Sequence, residues 1–198
     1  MKTAGRTRPK HPTKQRIRTR LSGARRQKLK VNQWVFVALG ANLGERKRNI
    51  LEAMRSLQKE SDEPILRSSI WETTPVDCPP GSPRFLNAII ALVPLTEETP
   101  QSLLAKLQEL EKSFGRKRKR ILNEPRPLDL DLIAFGNETC STTRLTLPHP
   151  RAHLRRFVLQ PLSELAPDLI LPGQSKTVSQ LLDCLASEEG IRKVSDAK

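Results

Sequence analysis

The sequence predicts an α+β sandwich whose strands and helices follow one another in the order β-α-β-β-α-β. Short apolar runs of strand length alternate with stretches whose apolar residues recur every three or four positions, as on one face of a helix. The composition is globular, with 36% hydrophobic and 28% charged residues among 198. This length corresponds to one domain with room for a tail. The element order is that of a ferredoxin-like βαββαβ sandwich, followed by a C-terminal elaboration.

The first strand and the first helix are predicted from an apolar run and a helical repeat. The run Trp34–Leu39 predicts a buried strand. Segment 40–44 lacks both nucleotide-binding fingerprints and predicts a tight strand-to-helix turn. A helix is predicted at 45–59 from three apolar residues at helical spacing: Ile50, Met54 and Leu57.

The next two strands are predicted at 65–71 and 85–93, joined by a loop rich in proline and glycine from Thr73 to Pro83. A second helix follows at 99–114 and carries the clearest pattern. Five of its apolar residues line one face: Leu103, Leu104, Leu107, Leu110 and Phe114.

The last predicted elements surround a Gly-Asn turn. Residues 128–135 predict a fourth strand, and Gly136-Asn137 predicts a turn into a hairpin that ends near 145–147. A short final helix is predicted at 178–185.

The positive charge is concentrated at the start of the chain. Of the 35 basic residues, twelve lie in residues 1–30, where no acidic residue is present, so residues 31–198 carry 23 basic and 21 acidic residues. We therefore expect a disordered tail at 1–30 and a nearly neutral folded domain at 31–198. Three roles for the tail remain open. It is a solvated extension without a specific role, an arm that contacts nucleic acid through phosphates, or an organelle transit peptide.

Cysteine usage and hydropathy exclude several classes of protein. The three cysteines, Cys78, Cys140 and Cys184, are widely spaced and form no C-x-x-C pair, which argues against a disulfide framework and a zinc ribbon. No apolar run approaches the roughly 18 residues of a membrane helix, and no signal-peptide core follows the start. We expect a cytoplasmic monomer without membrane contact, or an organellar one if residues 1–30 are a transit peptide.

Two aspartates in the fourth predicted strand are the first candidates for chemistry. Asp129 and Asp131 are separated by one residue, so their side chains project from the same face of the strand. Neighbouring carboxylates repel each other unless a cation lies between them, and oxygen ligands of this kind suit Mg²⁺. The alternative is an acidic solvent face whose charge is offset by Arg126. The motif alone leaves both interpretations open.

Basic residues and a histidine pair surround this motif in the sequence. Five consecutive basic residues at 116–120 precede Arg126, and a cationic loop beside a carboxylate pair is what a polyphosphate–magnesium site needs. A solvated loop or a nucleic-acid patch explains the same run. His149 and His153 have the spacing of a zinc pair on a helix, but adjacent prolines and the lack of a third ligand argue against zinc. His149 fits better as a neutral or cationic donor to a phosphate.

Eight sequence landmarks occur in order along the body of the chain: A-L-G-A-N-L-G (38–44), W-E-T-T-P (71–75), F-L-N-A (85–88), L-x-x-L-E-K-S-F-G-R (107–116), P-R-P-L-D-L-D-L-I (125–133), F-G-N (135–137), R-L-T-L-P-H (144–149) and R-R-F-V-L-x-P-L-x-E-L-A-P (155–167). Together they resemble the 6-hydroxymethyl-7,8-dihydropterin pyrophosphokinase family of folate biosynthesis. The resemblance covers residues 34–173, which is most of the body.

The resemblance implies transfer of the terminal diphosphate of ATP, the co-substrate, to the pterin hydroxymethyl group, with release of AMP. It implies that Asp129 and Asp131 hold two Mg²⁺ ions. It also implies that Arg116 and Arg126 stabilise the charge that develops on the transferred group, which is catalysis by positioning and electrostatics. The loops at 73–84 and 116–127 are expected to close as lids.

The resemblance also implies two sets of binding residues. The ATP-binding set is Leu104, Gln108, Arg118, Leu132, Arg144, Thr146, His149 and Arg155. The pterin-binding set is Thr73, Thr74, Val76, Phe85, Asn87 and Phe157. In this second set, Phe85 and Phe157 stack on the two faces of the pterin ring, and Asn87 bonds to its nitrogens.

Some positions depart from the family pattern. Asn123-Glu124 stands where Trp-Gly is common, which removes a stacking partner for the pterin and predicts weaker pterin affinity. Thr74 stands where proline is usual, and Pro150 where an aromatic residue is frequent. A rival hypothesis is an RNA-binding protein without enzymatic activity, based on the basic tail and residues 116–120. The low aromatic content, 4% with no tyrosine, argues against that hypothesis.

Overall fold

The structure is a computed structural model that describes residues 34–116, 124–187 and 189–195. The predicted tail at 1–30 lies outside the described residues, and so do Arg118 and Asn123. The boundary between tail and domain therefore stays a prediction. Among the described residues, no helix has both the length and the apolar character needed to cross a membrane.

The described residues form eight strands and four α-helices. The strands are β1 (Val35–Ala41), β2 (Leu66–Arg67), β3 (Trp71–Thr73), β4 (Phe85–Leu92), β5 (Asp129–Phe135), β6 (Cys140–Ser141), β7 (Thr146–Leu147) and β8 (Ile191–Lys193). The helices are α1 (Arg46–Leu57), α2 (Pro100–Ser113), α3 (Arg156–Leu165) and α4 (Val178–Cys184). The predicted α+β class is therefore confirmed.

The main sheet is antiparallel, with strand order β5-β1-β4-β3-β8 and β2 paired with β4. Its register places Gly40 of β1 between Asn87 of β4 and Asp129 of β5. A side chain at Gly40 would lie 3.1 Å from Asn87 Oδ1 and 3.8 Å from Asp129 Cβ. Glycine therefore keeps open the space between these two polar side chains.

Helices cover the two faces of the sheet unequally. One face packs against α1 and α2 through alternate strand residues, among them Val35, Val37, Leu39, Ile90 and Leu132. The other face packs against α3 and α4 through a shorter set of strand residues: Trp34, Phe36, Ile89 and Ile133. Asp129 and Asp131 lie on this second face, beyond the part that α3 covers, so the uncovered end of the sheet becomes the floor of a cleft.

The prediction of one continuous strand at 65–71 is wrong, because this segment forms two separate strands, β2 and β3. Between them, the Ser68 hydroxyl accepts a hydrogen bond from the Ile89 N–H at 2.8 Å. The Ser68 N–H in turn donates to the Ile89 carbonyl at 2.9 Å. A side chain thus takes the place of a backbone carbonyl, which interrupts the ladder.

The C-terminal third contains two elements that the sequence analysis missed. Helix α3 has four buried apolar residues at helical spacing, but Pro161 inside it is a typical helix breaker and obscured the pattern. Strand β8 extends the main sheet beside β3. The hairpin predicted to end near 145–147 is formed by β6 and β7, which pair with each other and not with β5.

Candidate active site

A cleft of about 260 Å³ opens at the uncovered end of the sheet. Eleven of the side chains that line it belong to the sets implied by the resemblance: Thr73, Thr74, Val76, Phe85, Arg116, Arg126, Asp129, Asp131, His149, Arg155 and Phe157. They come from five separate segments of the chain. The fold therefore brings residues implied for ATP, for the pterin and for the metal to one place.

The remaining implied residues lie outside the lining of this cleft. Asn87 is buried behind it, where its Nδ2 donates a hydrogen bond to Thr73 Oγ1 at 2.7 Å. Leu132 is buried on the opposite face of the sheet. Leu104 packs against the same core from α2. Three others are exposed: Gln108, Arg144 and Thr146. Their roles stay predictions, as does that of Arg118.

The two aspartates of β5 face the cleft side by side. Both carboxylate oxygens of Asp129 are in ion pairs, one with Arg116 Nη1 at 2.9 Å and the other with Arg126 Nη2 at 2.7 Å. Burial and, second to it, the neighbouring charge of Asp129 raise the pKa of Asp131 to about 6, while Arg155 opposes the shift. The two ionised carboxylates therefore repel each other, and a cation between them would offset this repulsion.

The turn at 40–44 holds the backbone of Arg126 through hydrogen bonds. Asn42 Oδ1 accepts a hydrogen bond from the Arg126 N–H at 2.7 Å. The Arg126 carbonyl accepts from the N–H groups of Asn42 and Leu43 at 3.1 and 3.2 Å. The predicted tight turn thus has a second role, because it fixes the main chain of an arginine whose guanidinium enters the cleft.

Two phenylalanine rings in the cleft each carry an arginine over one face. The Arg126 guanidinium carbon lies 5.6 Å from the centre of the Phe85 ring, and that of Arg155 lies 5.3 Å from the centre of the Phe157 ring. These distances are typical of cation–π contacts. The cleft thus combines aromatic faces with guanidinium groups, which suits a ligand that has both a flat ring and phosphates.

Burial and a backbone hydrogen bond favour the neutral form of His149. Burial lowers its pKa to about 4, with further contributions from Arg155 and Arg151. Its Nδ1 accepts a hydrogen bond from the Arg151 N–H at 3.2 Å. Since a neutral imidazole carries one proton, that proton lies on Nε2. Of the two states left open by the sequence, the structure favours the neutral one.

Sequence reasoning assigned no individual binding or catalytic role to three residues of the site. Cys78 and Arg151 line the cleft, and no pattern in the sequence marked Cys78. Glu111 is buried in α2, where its Oε1 accepts a hydrogen bond from the Leu130 N–H at 2.7 Å and pairs with Arg116. A signal existed for this third residue, because Glu111 follows Leu103 and Leu107 at four-residue spacing on the apolar face of α2.

Glu111 connects α2 to both strand β5 and the cleft. Strand β5 lies at the edge of the sheet, so its outward N–H groups need other partners. The Glu111 carboxylate accepts a hydrogen bond from one of these groups, the N–H of Leu130, which lies between Asp129 and Asp131. Burial nevertheless raises the pKa of Glu111 to about 7. The group is therefore costly to ionise, although Arg116 lies beside it.

We expect Glu111→Gln to remove a pH dependence of stability. Because the folded-state pKa lies above the ordinary value of 4.5, the folded protein binds more protons than the unfolded chain between about pH 4.5 and 7. The free energy of unfolding should fall as the pH rises through this window, by on the order of 2 kcal/mol. Glutamine keeps an acceptor for Leu130 and does not titrate.

Chemical denaturation at pH 5 and pH 8 measures this decline in the wild type and the variant. Glu109→Gln, at an exposed position of the same helix, is the matched control and should keep the wild-type slope. An equal decline in wild type and Glu111→Gln would assign the pH dependence to other groups.

Comparison with known proteins gives a family match that agrees with this geometry. The family model described as 7,8-dihydro-6-hydroxymethylpterin-pyrophosphokinase matches residues 36–167. A 2-amino-4-hydroxy-6-hydroxymethyldihydropteridine pyrophosphokinase of Haemophilus influenzae is 35% identical over 158 residues, which cover 79% of this chain and 96% of that protein. A protein of the same name from Pseudomonas aeruginosa is 37% identical, with coverages of 83% and 99%.

Longer proteins share the same region. The folate synthesis bifunctional protein of Arabidopsis thaliana is 40% identical over 131 residues, which are 66% of this chain and 26% of that protein. The crystal structure of wild-type Plasmodium falciparum HPPK-DHPS matches with a TM-score of 0.59 at 13% identity, covering 76% of this chain and 44% of that chain. The present chain thus spans less than half of that bifunctional chain, and at this identity the likeness concerns the fold alone.

Proposed function

The chain belongs to the 7,8-dihydro-6-hydroxymethylpterin-pyrophosphokinase family, and from this premise we propose that it transfers diphosphate from ATP to the hydroxymethyl group of 6-hydroxymethyl-7,8-dihydropterin with the help of Mg²⁺. The products are AMP and the pterin diphosphate, and the reaction is a step of folate biosynthesis. The observation that carries the proposal is the single cleft in which an aspartate pair, four arginines and two phenylalanines converge. We also assign the sheet order and the element order to the ferredoxin-like arrangement.

The residues present fit magnesium. Asp129 and Asp131 supply two hard oxygen ligands, which is the number that Mg²⁺ usually takes from a protein when substrate phosphates and water complete its shell. In the part of the chain that the structure describes, no cluster of three or more His, Cys, Asp or Glu side chains has the geometry to hold a metal ion. When bound, Mg²⁺ neutralises and orients phosphate oxygens.

Arginines provide the positive charge that the protein itself brings to the phosphates. Arg116 and Arg126 enter the cleft from the loop before β5, and Arg151 and Arg155 enter from the segment before α3. In the structure, Arg116 and Arg126 are paired with Asp129. A cation at the carboxylates would compete with these pairs and leave both guanidinium groups available to the transferred diphosphate. Their role is to stabilise charge in the transition state, and no covalent intermediate is required.

The aromatic end of the cleft suits the pterin. Phe85 and Phe157 present flat apolar surfaces for stacking. Behind them, the Asn87 amide donates to Thr73 Oγ1, which fixes its orientation and turns Asn87 Oδ1 toward the space that Gly40 leaves open. We propose that this end orients the pterin hydroxyl toward the phosphates. The hydroxyl oxygen is then the nucleophile, which attacks the β-phosphorus. The bond between that phosphorus and the oxygen shared with the α-phosphate breaks, AMP leaves with that oxygen, and the hydroxyl proton passes to solvent.

Compartment, oligomeric state and nucleic-acid contact stay predictions. Two plant relatives carry names that place them in the mitochondrion, one of them a folate synthesis bifunctional protein of Arabidopsis thaliana. A transit-peptide role for residues 1–30 would be compatible with such a location. We propose a monomer that acts on small-molecule substrates.

The direct test is AMP release from ATP and Mg²⁺ by the full-length protein, with and without 6-hydroxymethyl-7,8-dihydropterin. We expect AMP only when the pterin is present, and its loss when a chelator removes the metal. ATP without pterin is the control for adventitious hydrolysis. A folded protein that releases AMP at the same rate with and without the pterin would contradict the proposed function.

A further inference from the structure

A short C-terminal segment contacts two separate elements of the pterin end of the cleft. Residues 189–193 follow α4 and lie beyond residues 36–167, which match the family model. Strand β8 within this segment pairs with β3, with Ile191 opposite Thr73. The two residues before β8, Glu189 and Gly190, make the contacts that matter for the site.

Glu189 caps the N-terminus of α3 from outside the helix. Its Oε1 accepts a hydrogen bond from the Arg156 N–H at 3.3 Å, and its Oε2 accepts from the Phe157 N–H at 3.1 Å. Arg155, the residue at the cap position, makes no side-chain capping bond. The first N–H groups of a helix lack partners within it and favour negative charge. The Glu189 carboxylate therefore fixes the turn on which Phe157 sits.

Gly190 fixes the start of the loop after β3, whose residues Thr74 and Val76 line the same cleft as Phe157. The Thr74 N–H donates to the Gly190 carbonyl at 3.0 Å, and the Gly190 N–H donates to Thr74 Oγ1 at 3.1 Å. A proline at position 74 would lack both the N–H and the hydroxyl. A side chain at Gly190 would lie 3.2 Å from Thr74 Cγ2, so only glycine allows this approach without adjustment.

We propose that Glu189 and Gly190 are positioning residues that set the distance between Phe157 and the loop beginning at Thr74, and thereby the fit of the pterin ring. The proposal rests on the proposed function. The phosphate end has different supports, since Asn42 anchors Arg126 and Glu111 pairs with Arg116. Arg155, which the resemblance assigns to ATP, belongs to the same turn of α3 and lies over Phe157. Loss of the Glu189 cap should therefore weaken pterin binding more than ATP binding.

The test compares Glu189→Ala and Glu189→Gln with wild type in steady-state kinetics for each substrate. The loss of a helix cap predicts a rise of roughly fivefold in the KM for the pterin in Glu189→Ala. A smaller rise is expected in Glu189→Gln, because glutamine keeps one acceptor oxygen. The KM for ATP should rise less than the KM for the pterin in both variants, because Arg116 and Arg126 are held by other contacts. Asp183→Asn, an exposed acid of α4, is the matched control and should behave as wild type.

A second variant addresses the Gly190 contact without changing charge. Gly190→Ala places a methyl group 3.2 Å from Thr74 Cγ2, which disturbs this contact while Thr74 itself is unchanged. Calorimetric titration with the pterin, in the presence of a non-hydrolysable ATP analogue, should show a weaker dissociation constant for this variant and for Glu189→Gln. These two conservative variants keep the test valid if Glu189→Ala does not fold.

The outcomes separate this proposal from the proposed function. Active wild type together with an unchanged pterin KM and dissociation constant in the variants would overturn the positioning role alone. Equal rises in the KM for ATP and for the pterin, with a lower melting temperature, would also overturn it and indicate general destabilisation. Absence of pterin-dependent AMP release from wild type would overturn the proposed function itself.

Discussion

Asp131→Asn is expected to lower kcat by roughly a thousandfold or more while the folded structure remains. The substitution removes one of the two oxygen ligands proposed for Mg²⁺, and a metal ion contributes several kcal/mol to stabilising charge on a transferring phosphoryl group. Stability should not suffer. Burial and the charge of Asp129 raise the pKa of Asp131, so the ionised carboxylate is unfavourable in the folded protein and a neutral amide is not.

The measurements are kcat over a range of Mg²⁺ concentrations and the melting temperature. Asp168→Asn, an exposed acid beyond α3, is the matched control for the same chemical change. Asp129→Asn should be equally inactive but less stable, because it leaves Arg116 and Arg126 without their common partner. A rate near wild type for Asp131→Asn at saturating Mg²⁺ would refute the metal assignment.

Arg126→Ala is expected to reduce kcat about a hundredfold or more and to change the KM for ATP much less. The side chain pairs with Asp129 and lies over Phe85. Its main chain is held separately by Asn42 and Leu43, so truncation should not displace the loop. Loss of a charge that acts mainly in the transition state lowers kcat more than it weakens ground-state binding.

Steady-state kinetics in both substrates measures this split between kcat and KM. Arg48→Ala removes an exposed arginine of α1 that pairs with Glu52 and serves as the control. Arg126→Lys tests geometry, because lysine keeps the charge but lacks the planar fork. A large rise in the KM for ATP with an unchanged kcat would show that Arg126 binds ATP without acting in the transition state.

The fold class and most of the elements were predictable because local patterns carry them. The predicted bounds of β1 and α2 lie within about two residues of the observed ones. The start of α2 is also marked locally, by a capping box of Thr99 and Ser102. The division of the second strand was not predictable, since the Ser68 hydroxyl meets Ile89 only in the folded sheet. Helix α3 was missed because local preference at Pro161 opposes a helix that burial stabilises.

The amino-acid sequence by itself determined which kinds of side chain were available and that Asp129 and Asp131 share a face, because alternation along a strand is a local property. Its ordered landmarks determined the family. Tertiary structure alone decided that residues from distant segments line one cleft, that burial lowers the pKa of His149, and that Glu111 and Glu189 accept hydrogen bonds from backbone groups of β5 and α3. The physical reason is that burial, pKa shifts and hydrogen bonds between remote segments depend on the distances that packing creates, and no local pattern encodes those distances.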